Sequence, residues 1–358
     1  MSRKAGNGRP VAAPATGAAT APRGDGHPVH RGGHTPRGDG HPVRGSGRAV
    51  RTVAGTVVRR LLMLAVLLAV VFAAVEVLPG DAATASAERG ESAADLAERR
   101  HLLGLDRPVW ERFADWMASL PTGDLGTSAR GQKVTELLAD PLPNTLVLAL
   151  TAFGITAVLS LVLGCWAAGR PGRAADRVIS HTSTAAFAVP EFVVSAALLL
   201  VLSLWTGWLP AVTVTGGDGR PATWTMLIMP VLALVVPQTG WNTRVVRGAL
   251  ADQATAPHVE AARFDGLPLR QVLFRHQLPG ALPAIATGMA TSTGLLFGGA
   301  VVVETLFNHP GIGSVLAGAV AGRDTPLIAG VVICTGAVIS VVLLAADVIR
   351  HAILGARS

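Results

Sequence analysis

Lysine is nearly missing: in 358 residues it occurs only at Lys4 and Lys133. Neither follows a glycine-rich strand-to-helix turn, so the chain has no Gly-Lys-Ser/Thr loop to cradle nucleotide phosphates. Cysteine is as scarce. Cys165 and Cys334 both lie inside apolar runs, which argues against a disulfide framework or a thiolate metal site and makes them small buried hydrophobes. Charge is low too, at 15% of residues against 50% hydrophobic, with a mean hydropathy of +0.47. A soluble domain carries about 25% charged residues, so this balance points to a membrane protein.

The formal net charge of +7 is confined to one end. Residues 1–60 hold eleven Lys/Arg and two Asp, so the remainder is slightly acidic. A nucleic-acid face would bring a folded scaffold or stacking aromatics, and that arm has neither, so no nucleic-acid partner is expected. Its Gly, Pro, Ala, Arg and His have no apolar period and cannot offset ordering entropy. It repeats "PRGDGHPV" at 22–29 and 36–43, a low-complexity feature. His27, His30, His34 and His41 are irregularly spaced and have no carboxylate shell, which favours a solvated tail over a metal site.

Six apolar spans follow, at about 58–79, 144–168, 184–209, 223–242, 281–306 and 326–349, each near the roughly 20 residues that cross a bilayer. The expected organisation is a disordered basic tail over 1–56, a first transmembrane helix over 57–79, an extracytoplasmic segment over 80–143 and a five-helix core over 144–358. The fold class is all-α, polytopic, with six transmembrane helices. A rival reading of the first span is a signal peptide with Ala85-Ser86-Ala87 at its cleavage site; the length of the leader and the run through Val77 and Leu78 favour a retained helix.

Positive residues resist translocation. They gather in the tail, in "GRPGRAADR" after the second span, and over 243–280, where five Arg face three acids; residues 80–143 hold eleven acids against seven bases. Both termini and the 243–280 stretch are therefore expected in the cytoplasm. Within the spans, Glu191 after Pro190 is expected either on a translocation path or as a structural group beside a proline break. Glu76 and Glu304 are expected to reach water or the interface, Asn144 to cap the second helix, and Trp205, Trp208 and Trp224 to anchor at the outer boundary. Trp110, Phe113 and Trp116 fall three apart, which predicts one aromatic face packed on the bundle.

The stretch "HVEAARFDGLPLRQVLFRHQLPGALP" (258–283) is too polar for lipid. It predicts two short helices at a bend, with Gly266 ending the first and Pro268 opening the second. Ala261 and Ala262 keep the first helix low for a partner's approach, and Glu260 and Arg263 offer charged contacts. A connector lying on headgroups would want a broad apolar face, and only Val259 and Phe264 are available. These residues favour protein docking.

Glu260-Ala261-Ala262, three residues, Gly266, nine residues, then His276-Gln277-Leu278-Pro279 resembles the EAA loop of permease subunits in bacterial ABC importers. His276 stands where that signature has Ile, as in the dipeptide, oligopeptide and nickel subfamily. The likeness extends from about residue 57 to the end, through "VLPGD", "PEFVVSAALLLVLSLWTGWLP" and "VVVETLFNHPGIGSVLAGAVAGRDTPLIAGVV". The resemblance implies a non-catalytic subunit of the plasma membrane forming half of a translocation pathway for peptides, with nickel as an alternative cargo. It implies a second, non-identical permease subunit, two ATPase subunits that use ATP and magnesium, and an extracytoplasmic substrate-binding protein. This chain itself would bind no cofactor. Glu260, Ala261, Ala262, Arg263, Gly266, Leu278 and Pro279 would carry coupling to the ATPase. An ion-gradient-driven secondary transporter is the competing class; it predicts paired broken helices in two halves, and the spans show no such duplication.

Overall fold

The computed structural model describes residues 45–77, 80–85 and 92–355. The expectations for the tail before residue 45, its histidines included, and for Ser86-Ala87 lie outside the described residues. The chain divides into two units, Met1–Thr52 and Val53–Ser358; of the first, only the opening turns of one helix are described.

That helix is α1 (Gly45–Val77). It begins before the expected tail boundary at 56, because extending an existing helix needs no new nucleus. Four short helices follow, α2 (Ala82–Ala85), α3 (Ala93–Leu102), α4 (Val109–Ser119) and α5 (Val134–Ala139). The bundle then runs through α6 (Pro141–Ala168), α7 (Ala174–Ala188), α8 (Glu191–Leu198) and α9 (Ile228–Gln253). It ends with α10 (Pro257–Phe264), α11 (Leu269–Gln271), α12 (Leu278–Leu306), α13 (Ile312–Ala321) and α14 (Thr325–Gly355). Two isolated bridges are the only β pairing among the described residues. Without water in the hydrocarbon, backbone amides must be satisfied within each segment, which is why the spans are helices.

Five helical runs are long and apolar enough to cross a membrane: Gly55–Val77, Val134–Ala168, Trp224–Gln253, Leu269–Leu306 and Thr325–Val348. The span expected over 184–209 is present as a broken one. α7 and α8 meet at a 94° bend and make a sixth span only as a broken pair. The break falls at Val189 and Pro190, both in extended backbone, because proline removes a helix donor and drives the preceding residue out of the α region. The fourth span continues to Gln253 and the fifth starts at Leu269, so most of the interval expected as a lead-in is helix.

α9 touches α6, α7, α8 and α12. Leu148 of α6, Leu234 of α9 and Leu296, Phe297 and Val303 of α12 form one buried core. Where α9 crosses α7, a Cβ on Gly240 would stand 2.8 Å from the Phe187 amide nitrogen, so only glycine lets these backbones meet. α1 packs Leu64, Leu68 and Phe72 on Ala329, Val332 and Ile333 of α14. Its other face exposes Leu61, Leu62, Met63 and Val66, the pattern of a lipid-facing surface. In α4, Phe113 and Trp116 pack on Phe72 with ring centroids 5.2 and 5.4 Å away. Trp110 does not join them and is 68% exposed: residues three apart drift about 60° per step on a helix, so the first and third diverge.

Two polar clusters pin the bundle ends. At the end carrying residues 80–143, Glu304 is fully buried, against the expectation that it reaches water. Thr145 Oγ1 donates to its Oε1 at 2.6 Å and the Gly313 amide to its Oε2 at 2.6 Å, while the Ile312 amide donates to Thr145 Oγ1 at 2.8 Å. A Cβ on Gly311 would collide with the Glu304 carboxyl. Asn144 is no cap. The helix begins at Pro141, and the Asn144 amide donates to the Pro310 and Gly219 carbonyls at 2.8 and 2.9 Å. Beside it, burial pushes the His309 imidazole below its ordinary pKa range. At the opposite end Arg247 Nε and Nη2 grip Asp176 Oδ1 and Oδ2 at 2.5 and 2.9 Å, and the Gly172 amide adds a bond to Oδ2 at 2.9 Å.

Glu304→Ala strands a buried hydroxyl and an amide and is expected to cost about 3 kcal/mol. Glu304→Gln keeps one acceptor and turns its amide toward Thr145, so it is expected to cost about 1 kcal/mol. Thermal unfolding in detergent compares them, and equal losses would assign the effect to packing. Arg247→Met leaves the buried Asp176 carboxylate without its counter-charge, with the Gly172 amide still bound to it, and is expected to destabilise by about 2 kcal/mol, below the range for fully buried pairs because Arg247 is partly exposed; chemical denaturation of the purified chain checks it.

Candidate coupling loop

Pro257 opens α10, where its missing N–H costs nothing. Gly266 stands at φ +75°, a backbone region open to glycine at no steric cost, and its amide donates to the Arg263 carbonyl at 3.0 Å. The chain reverses, and Pro268 precedes α11. From Leu269 the helix continues through a π-helical stretch, Val272–Gln277, directly into α12. The elbow therefore stands on the end of a spanning helix.

The elbow has a core of its own. Val259, Ala262 and Val272 are buried together, with Ala256 and Leu267 against them, and His258 Nε2 lies 3.2 Å from the His276 carbonyl oxygen. This separates the two alanines expected to share one low surface. Ala261 is exposed; Ala262 is 4% exposed and packs inward. Successive residues on a helix differ by about 100°, so both cannot face out. Glu260, Arg263 and Asp265 are exposed, and Phe264 is 90% exposed at the end of α10.

Leu278 and Pro279 open α12, with Leu278 against the cluster of Val246, Leu250 and Leu273. Six of the seven expected loop residues surround the bend or its root, and Ala262 holds it from inside. Glu191 is elsewhere. It begins α8 after the break, is half-buried, and lies against Gly299 of α12; among the described residues its carboxyl has no hydrogen bond or ion pair. Sequence reading missed a buried polar pair in mid-bundle: Asn242 of α9 donates to the Gln238 carbonyl at 2.9 Å and to Ser292 Oγ of α12 at 3.1 Å. Its signal was two amides four residues apart in an apolar span.

The described residues contain no cluster of His, Cys, Asp and Glu able to hold a metal. What the elbow offers is shape: a rigid, short helix carrying an aromatic and charges of both signs, fixed to a long one.

Two family models match the chain. Residues 160–355 match the binding-protein-dependent transport system inner membrane component, and residues 49–149 match the N-terminal part of such membrane components. The oligopeptide transport system permease protein AppB of Bacillus subtilis is 31% identical over 309 residues, covering 83% of this chain and 96% of that protein. The glutathione transport system permease protein GsiC of Salmonella choleraesuis is 32% identical, covering 82% and 93%. A chain from the MetNI methionine ABC transporter, solved in inward-facing conformations, superposes with a TM-score of 0.51 at 18% identity, covering 61% of this chain and 97% of that one, which speaks to the fold alone. A membrane-spanning helical bundle with more than half of its length, residues 160–355, matched by one family model, this chain belongs to the family of inner-membrane components of binding-protein-dependent transport systems.

Proposed function

We propose that the chain is a permease subunit of an ATP-driven peptide importer, lying in the plasma membrane with both termini in the cytoplasm. The excess of arginine at the elbow end and of acids in the 80–143 segment supports that orientation. Oligopeptides, peptides and glutathione in the relatives' names favour peptide cargo over nickel. Membership in a binding-protein-dependent family stands against the ion-gradient alternative. Partners in this reading are a second, non-identical permease subunit, two ATPase subunits that bind ATP and magnesium, and an external binding protein.

The observation that carries the reading is the exposed edge of α10. Phe264, Glu260 and Ala261 face away from a loop that is already packed internally. A solvent-exposed aromatic among charges fits a protein groove. Because α11 runs into α12 as one helix, a push on the elbow tilts a spanning helix as a rigid body. Glu191, half-buried beside α12 at the break in the third span, lines the path in this proposal, where an intramembrane carboxylate would face a wet cavity.

Phe264→Cys is expected to react with a membrane-impermeant maleimide in inverted vesicles and not in right-side-out ones; labelling from outside overturns the orientation. Proline cannot adopt the φ of Gly266, so Gly266→Pro is expected to leave the protein inserted while peptide uptake falls at least about tenfold and ATPase co-purification is lost. Undiminished uptake with the ATPase retained would remove the elbow's coupling role.

A further inference from the structure

Beside the elbow, between the end of α6 and the α11–α12 helix, lies an open cleft of about 830 Å³. Its rim carries four arginines: Arg170 and Arg173 from the loop after α6, Arg263 from α10, and Arg270 from α11. All four are exposed, none forms an ion pair with a described residue, and no acidic side chain lines the cleft. Its wall is apolar, with Val162, Trp166, Leu269 and Phe274 each 50–57% exposed. The Arg170 guanidinium sits 5.6 Å above the Trp166 ring, which holds a cation at the rim.

Two simpler accounts fall short. Arginine at a helix carboxyl end is favoured by the dipole, which accounts for Arg263 in the last turn of α10 and for Arg170 just beyond α6, but Arg173 stands at the N-terminus of α7 and Arg270 in the first turn of the α11–α12 helix, where the dipole opposes a cation. Ordinary lipid tails would cover the apolar wall but would not neutralise the rim. Four guanidiniums over a greasy cleft, at the depth where a spanning helix leaves the hydrocarbon, match a phosphate on an acyl-bearing body: guanidinium forms bidentate bonds to phosphate, and basic pockets between helices at the cytoplasmic surface take anionic headgroups.

We infer that this cleft is a binding site for an anionic glycerophospholipid, with the headgroup phosphate among Arg170, Arg173, Arg263 and Arg270 and an acyl chain against Trp166 and Phe274. Because two of the arginines belong to the loop after α6 and two to the elbow, a bound lipid bridges the bundle to the elbow. The site requires only that the chain lie in a membrane; it does not depend on the transport reading.

The test uses the purified full chain in detergent, without partners, and native mass spectrometry with added palmitoyl-oleoyl phosphatidylglycerol or phosphatidylcholine. Phosphatidylglycerol is expected to bind and phosphatidylcholine not. The double variant R170Q/R173Q is expected to bind phosphatidylglycerol roughly thirtyfold more weakly. A charge-matched control, R177Q/R244Q, removes two exposed arginines that do not line the cleft and is expected to behave as wild type. Undiminished binding in R170Q/R173Q, or an equal loss in the control, would overturn the site in favour of a diffuse field.

A second measurement needs no charge variant. Phosphatidylglycerol with brominated acyl chains in vesicles is expected to quench the part of the fluorescence that Trp166→Phe removes, and absence of that quenching overturns the proposal. So would a Val162→Cys chain that, in native membranes, crosslinks to another protein, because the cleft would then hold protein in place of lipid.

Discussion

A polar group carried into hydrocarbon finds no water, and this protein's architecture follows from where it supplies partners of its own. Backbone amides are satisfied inside helices. The buried charged side chains Glu304 and Asp176 are held at the two ends of the bundle, where they join segments far apart in sequence, and the mid-bundle pair Asn242–Ser292 joins α9 to α12. Glu304 is held by Thr145 of α6 and by the Gly313 amide at the start of α13, so the end of the fifth span, the second span and the following loop form one unit. Asp176 and Arg247 do the same for α7 and α9 at the other end.

The two ends differ in what lies beyond the pins. At one, α4 and α5 are bound back to the bundle: Asp324 accepts from Ser128 Oγ and from the Ala129 amide, Trp116 packs with Phe72 and Ala329, and Val134 and Leu138 pack with Ile312 and Leu327. At the other, the elbow keeps its small core to itself and shows its charged edge and Phe264 to solvent. A segment with its own core moves as a body. Joined to α12 without a break in the helix, it transmits a displacement where a flexible loop would absorb it.

The elbow was legible because its signals are local. Gly266 supplies the left-handed turn that other residues resist, Pro268 precedes the next helix, and the polar run between two apolar ones could not be a span. The broken third span was half legible: Pro190 marked the place, and the 94° turn did not follow from it, since prolines at 237 and 283 sit inside helices that continue. Asn144 and Glu304 misled for a common reason. Both lie near a helix end, where capping and solvent contact are the ordinary roles, and each takes a partner far along the chain, Pro310 for Asn144 at 166 residues and Thr145 for Glu304 at 159. Ala261 and Ala262 looked equivalent, and only the neighbour on one side, Val272, makes them different.

The order of residues was enough to establish a helical membrane bundle, the number of its apolar runs and the place where the chain leaves lipid for a polar elbow. These are properties of hydropathy, chain length and local backbone preference. Tertiary structure alone decided which buried carboxyl meets which hydroxyl, which alanine faces inward, and that four arginines from the loop after α6 and from the elbow converge over one apolar cleft. Such pairings depend on how helices cross, and crossing is set by packing between residues that the order of the chain leaves far apart.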